Sequence, residues 1–226
     1  MLGKLRTYPW IFPDSCLIIF AKAPEPGKVK TRLQPAIGAA QAAKLQARLI
    51  FETLDLVHRC GLCPAQLWCN PSTEDPVFRR ASKRYRITLH TQAGTDLGDR
   101  MEHAISINLE TSGAVVLIGC DCPSLTQQDL TDALSALHHG SDVVLGPAED
   151  GGYVLIGMNQ PVSDLFRNIR WGTAEVLPET RSRIRRLGLQ CFETRLQWDI
   201  DRPEDLRRYL LSRPPHGERR WCWQSS

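Results

Sequence analysis

Residues 114–125 read AVVLIGCDCPSL, and this stretch decides the fold. Six residues without a polar side chain, Ala114 to Gly119, describe a strand buried on both faces. The run stops at Cys120-Asp121-Cys122-Pro123, and a helix is expected over 126–138 with Thr126 as its cap. In open α/β sheets, ligands bind in the crevice beyond the carboxyl ends of the strands, so Asp121 stands where chemistry is done. Its plainer reading is a turn or cap residue ahead of the helix that follows Pro123. A carboxylate at a strand end suits Mg²⁺, which proteins hold through one or two carboxylates while substrate phosphates complete the shell. Such a site needs a second acid and a phosphate-binding segment elsewhere in the chain.

Outward from this strand the chain alternates. CLIIFA (16–21) reads as a first strand, followed by a helix from about 38 to 58 with apolar residues at helical spacing. AQLWCN (65–70), RITLHT (86–91) and LQCFET (189–194) read as further strands. Helices are expected over 75–83, 98–109 and 174–187, with a last one starting near Pro203. DVVLGPAEDGGYVLIGM (142–158) breaks the rhythm, because its two strand-like runs are separated only by Pro147 to Gly152. That connector is too short for a helical crossover and predicts an antiparallel strand in a mixed, mostly parallel sheet. The pattern gives an α/β fold of three layers, α/β/α.

The chain of 226 residues suits one domain over 16–212, with an N-terminal extension (1–15) and a C-terminal tail (213–226) that Trp221 and Trp223 could dock. At 42% hydrophobic and 23% charged residues it has the make-up of an ordinary globular protein. A net charge of +3 without a long basic run argues against nucleic acid as a partner. Lys4 and Arg6 precede an apolar stretch ending at Ala21-Lys22-Ala23, but Pro13 and Asp14 interrupt it, so a first strand is expected there and not a signal peptide. No segment reaches membrane-spanning length. Eight scattered cysteines suit reduced thiols in a cytoplasmic enzyme. Cys60-x-x-Cys63 with Cys69 could offer three zinc ligands, one short of a structural site, and Cys69 falls inside a strand.

The first strand runs into AKAPEPGKVKTRL (21–33), where Lys22, Lys28, Lys30 and Arg32 face one acid, Glu25. Arg32 could grip phosphate oxygens in bidentate fashion and the lysines could act as mobile point charges, although a solvated basic loop is the plain alternative. It is not a Walker A loop, since Gly27-Lys28 is followed by valine and valine precedes Lys30-Thr31. A second acidic pair lies in Asp199-Ile200-Asp201-Arg202-Pro203, where alternation around Ile200 turns both aspartates to one face. Capping of the last helix by Asp201 is the competing account. Asp150, beside Gly151-Gly152, could bind or deprotonate an acceptor hydroxyl, or it could only stabilise the turn. The loop Gly94–Arg100 is another close-approach site, with Arg100 near a helix start; an ordinary helix entry would look the same. His138-His139 ends a helix and makes no metal pattern.

KAPEPGKVKTRL, TDLGDRM, IGCDCPSL, GPAEDGGYVLIG and DIDRPEDL occur in an order that resembles a bacterial family of GT-A-like, nucleotide-diphospho-sugar transferases. Some of its members are assigned as glycosyltransferases of arsenosugar biosynthesis. The resemblance spans roughly 16–210 and is more distantly similar to 2-phospho-L-lactate guanylyltransferase and the molybdenum cofactor nucleotidylyltransferases. It implies that Lys22, Lys28 and Arg32 contact donor phosphates, with Leu97 and Gly98 near the base or ribose. Arg100, from the loop reading, is a further expected nucleotide-binding residue. The resemblance also implies that Asp121 and one or both of Asp199 and Asp201 hold Mg²⁺ or Mn²⁺. Asp121 and, from the reading of its own loop, Asp150 are the expected catalytic residues. The expected partners are a nucleotide or nucleotide-sugar donor and a small-molecule acceptor. Two departures stand out. A single acid in Cys120-Asp121-Cys122 replaces the compact Asp-x-Asp of glycosyltransferases, and a lysine-rich, proline-containing loop replaces the glycine-rich loop of nucleotidylyltransferases. Glycosyl transfer is the expectation, with nucleotidyl transfer to a small phosphorylated acceptor and a non-catalytic nucleotide-binding module as alternatives.

Overall fold

A computed structural model describes residues 10–212; the expectations for the extreme N-terminus and for the tail with Trp221 and Trp223 lie outside the described residues. Seven strands form one sheet: β1 (Ser15–Lys22), β2 (Ala65–Asn70), β3 (Thr88–Thr91), β4 (Ala114–Gly119), β5 (Val143–Pro147), β6 (Tyr153–Met158) and β7 (Cys191–Glu193). Their order is β3-β2-β1-β4-β6-β5-β7. All pairings are parallel except those of β6, which runs against both β4 and β5. The mixed sheet expected from the short 147–152 connector is therefore present. Ile19 sits opposite Leu67 on one side and Ile118 on the other, so the apolar runs stack in the middle of the sheet.

The helices are α1 (Gln34–Ile37), α2 (Ala39–Cys60), α3 (Pro76–Tyr85), α4 (Leu97–Leu109), α5 (Gln127–His138), α6 (Val176–Arg186) and α7 (Pro203–Leu211). Side chains alternate across each strand, so every buried strand feeds two cores. Leu17, Ile19, Val116 and Ile118 pack with α2, α3 and α5 on one face. Ile18, Phe20, Val115 and Leu117 pack with α4 and α6 on the other. A third, smaller cluster joins Leu33, Leu45 and Leu49 to Ile200, Leu206 and Tyr209, fastening α7 and the segment before it onto α2. That cluster fixes the position of the second acidic pair.

Two short turns missed in the sequence, a 3-10 turn over Thr31–Leu33 and α1 behind it, bridge the basic loop to α2. They are entered through Lys30, whose left-handed backbone (φ 47°) carries no sequence signal because lysine does not favour it. Thr126 caps α5 as expected, accepting from Asp129 N while Asp129 accepts from Thr126 N at 2.7 Å. The start of α7 departs from one reading: Asp205, not Asp201, takes the free amides there, from Asp201 N at 3.1 Å and Arg202 N at 2.7 Å. No helix among the described residues is long and apolar enough to cross a membrane.

Candidate active site

The strand order reverses between β1 and β4: β2 and β3 lie on one side of β1, and the chain then returns to place β4 on the other. Loops leaving two such strands diverge and open a crevice at their carboxyl ends. Here the crevice is a cleft of about 530 Å³ that takes walls from both halves of the sheet. Lys22, Lys28 and Lys30 line it from the β1 loop, Asp121 from the end of β4, Asp150 from the β5–β6 connector and Asp199 from the segment ahead of α7.

The backbone brings the late aspartates in. Gln197 N donates to Pro147 O (2.8 Å) and Glu149 N to Gln197 O (3.0 Å), extending the sheet edge past β5. Ser124 Oγ donates to Gln197 Oε1 (2.7 Å) and accepts from Trp198 N (3.0 Å). Ile200 N then donates to Asp121 O (2.9 Å), and the Ile200 side chain is fully buried against α2 and α7. Asp199 and Asp201 are thus held on either side of one anchored residue.

Lys30 sits at the centre of the cluster. Its side chain is only 5% exposed, and Nζ donates to Asp121 Oδ2 at 3.0 Å and to Ile200 O at 2.5 Å. Desolvation favours the neutral form of the Asp121 carboxyl, but the charge and hydrogen bond of Lys30 outweigh it and hold the group below its usual range. Among the described residues, Asp199 makes no ion pair of this kind. Burial first, and then the neighbouring charges of Asp121 and Asp150, push it up to about 6. Asp201 turns instead to Arg32, with which it forms an ion pair.

The remaining predicted residues fall into two groups. Lys22 lines the cleft and donates to Lys28 O (2.8 Å), while Lys28 pairs with Glu25 (2.6 Å). Leu97 and Arg100 line the cleft, with Arg100 Nε donating to Gly94 O (3.2 Å). Asp150 accepts from Gly152 N (2.9 Å), stabilising its turn while also facing the cleft. Gly98 behaves differently: it is buried, and a Cβ there would lie 2.6 Å from Trp171 Nε1 and 2.7 Å from Phe166 O. Trp171 occupies the space beside Gly98 and itself lines the cleft. Arg32 is not a wall residue but reaches the cleft through Asp201. Two contributors are not singled out in the sequence: Lys30, visible only as one of several loop lysines and with no sign of its bond to Asp121, and Trp171, for which no local motif exists.

Among the described residues, no three His, Cys, Asp or Glu side chains converge as a metal cage. Mg²⁺ and Mn²⁺ do not require one, since phosphates supply much of the shell. Asp121 and Asp199 are hard oxygen donors facing one cleft and close enough to interact electrostatically, a set that fits such a cation. The Cys60, Cys63 and Cys69 thiols are buried without forming a zinc group of that kind.

A family model described as an uncharacterized protein conserved in bacteria (DUF2064) matches residues 53–173. Among solved structures, the chain is similar to a protein of Desulfovibrio desulfuricans G20 described provisionally as a nucleotide-diphospho-sugar transferase, at 34% identity and a TM-score of 0.76 over 84% of each chain. It shares the fold, at 13% identity and a TM-score of 0.56, with the 4-diphosphocytidyl-2C-methyl-D-erythritol synthase of Anaerococcus prevotii DSM 20548, covering 88% of this chain and 99% of that one. The same holds for the glucosyl-3-phosphoglycerate synthase of Mycobacterium tuberculosis, solved with Mn²⁺ and UDP, at 10% identity and a TM-score of 0.53 over 86% of this chain and 75% of that one. No curated protein sequence matches.

Proposed function

The chain belongs to the bacterial DUF2064 family, and from that premise we propose that this transferase is metal-dependent and uses a nucleotide-activated donor, with glycosyl transfer from a nucleotide-diphospho-sugar as its reaction. One observation carries the reading: at the switch point of the sheet, a basic loop faces the carboxylates of Asp121 and Asp199 across one cleft. Anionic phosphates and a hard cation need that combination together. The 34% identical relative, described provisionally as a nucleotide-diphospho-sugar transferase, supports glycosyl transfer.

Asp121 and Asp199 would hold Mg²⁺ or Mn²⁺, which when bound neutralises charge developing on the donor phosphates. Lys22 and Lys28 orient those phosphates as point charges, and Arg32 reaches toward them from its pair with Asp201. Leu97 and Arg100 form the wall where base or ribose rests, with Gly98 leaving room for Trp171 beside it. The Asp150 oxygen not used by Gly152 receives the acceptor hydroxyl and takes its proton. A second reading, nucleotidyl transfer, is favoured by the lone Asp121 between two cysteines where an Asp-x-Asp would be expected of a glycosyltransferase.

Calorimetry with a panel of nucleotides and nucleotide-sugars, with and without Mn²⁺, tests the proposal. Binding should depend on the metal and should be lost in Asp121→Ala; unchanged binding by that variant sinks the proposal. Release of a nucleoside diphosphate from a sugar donor marks glycosyl transfer, whereas pyrophosphate released from a triphosphate marks the second reading.

A further inference from the structure

Every carboxylate cluster needs counter-charge, and this one already contains a cation. Lys30 Nζ is bonded to the Asp121 carboxylate and to the Ile200 carbonyl, two of the hard oxygens that meet at the late acidic segment. Its stem is sealed off from solvent, 5% exposed, and its backbone is left-handed at φ 47°, just ahead of the turn in which Leu33 N donates to Lys30 O (2.9 Å). A strained backbone of this kind persists at functional sites, where the surrounding structure over-determines it. Asp199, on the far side of Ile200, faces Asp121 and Asp150, with the Lys30 charge partly offsetting both.

We propose that Lys30 is an internal counter-cation that excludes a divalent ion from the free protein and yields only when phosphates arrive. This rests on the nucleotide reading above. An ammonium ion and a divalent cation cannot both hold Asp121 Oδ2 at contact distance, because like charges that close repel strongly in a partly dry cleft. Donor phosphates change the balance: they offer the ammonium ion a new anionic partner on the same loop and bring the oxygens that complete a metal shell. Lys30 thus makes metal binding conditional on nucleotide, and the order is nucleotide with metal, not metal first.

The test measures Mn²⁺ binding to the nucleotide-free protein by the electron paramagnetic resonance signal of the free ion. Lys30→Met removes the charge but keeps the stem, and it is expected to bind Mn²⁺ at least about tenfold more tightly than the parent. Adding Asp121→Asn to that variant should abolish the gain. In metal-free buffer the same Lys30→Met should bind a nucleoside diphosphate more weakly than the parent, an opposite shift that general loosening of the fold would not produce. Thermal melting confirms that the variant is folded, and Lys30→Gln replaces it if it is not. Equal or weaker Mn²⁺ affinity in the folded variant overturns the proposal. If no nucleotide binds even the parent, the functional reading fails, while the Mn²⁺ comparison still decides whether Lys30 competes with the ion.

Discussion

Asp199 and Asp201 are separated by one residue and do different things. Ile200 is buried between them, as strand-like alternation required, but the two carboxylates do not share one environment. Asp199 lies among Asp121 and Asp150 and is pushed up to about 6 by burial and their charges, whereas Asp201 is neutralised by Arg32 at the surface. Asp199→Asn should therefore abolish the metal-dependent part of nucleotide affinity in calorimetry. Asp201→Asn should leave most of it and should cost no more than about 1 kcal/mol of stability, since exposed ion pairs contribute little. Asp205→Ala should cost about 1 kcal/mol in urea denaturation, because its carboxylate takes two free amides at the start of α7. A larger stability loss for Asp201→Ala than for Asp205→Ala would restore Asp201 as the cap. Sequence alternation could show that the pair flanks an anchored residue. It could not show which aspartate meets Asp121, because that depends on Arg32 and Lys30, both distant in the chain.

At the scale of elements, the entry to α4 shows how a correct local reading can miss its partner. The loop Gly94–Arg100 reads as a place of close approach, and at Gly98 what approaches is the Trp171 indole and the Phe166 carbonyl. Gly98→Ala would put Cβ within 2.7 Å of both, so both must shift, and it should cost about 1–3 kcal/mol in urea denaturation, the usual range for forcing atoms into a packed site. Because Trp171 also lines the cleft, the same variant should weaken nucleotide binding; full stability with unchanged affinity would show that the indole moves aside freely. The β5–β6 pair was legible for the opposite reason. A connector of a few residues leaves no room for a crossover, so chain length alone imposed the antiparallel strand. The turns over 31–37 were hidden because they depend on the left-handed Lys30, a conformation that tertiary contacts impose and no composition announces.

Across the whole molecule, the sheet divides the side chains of each buried strand between two helical layers, and the thiols follow that division. Cys69 and Cys120 lie in the core beneath α2 and α3, and Cys16 lies in the core beneath α4. Burial pushes the Cys16, Cys63 and Cys69 thiols up to about 12 and Cys122 to about 11, while Cys60 and Cys120 move in the same direction. A raised pKa leaves less thiolate at a given pH, and the thiolate is the nucleophile, so these groups are doubly protected, by access and by charge. Cys191, on the edge strand β7, is the exposed thiol among the described residues, although desolvation and the Glu193 carboxylate raise it to about 11. Alkylation of the native protein at pH 8, followed by peptide mass spectrometry, should therefore modify Cys191 slowly and leave Cys16, Cys60, Cys63, Cys69, Cys120 and Cys122 untouched until the chain is denatured. The Cys191 rate should climb as pH approaches 11, because each unit increases its thiolate about tenfold below the pKa. If Cys60, Cys63 and Cys69 held zinc, a chelator would lower the melting temperature and expose them together. Packing as the reason for their burial predicts an unchanged melting temperature, since then the cysteines stabilise the fold as small apolar side chains of the same core that places Asp121 at the mouth of β4.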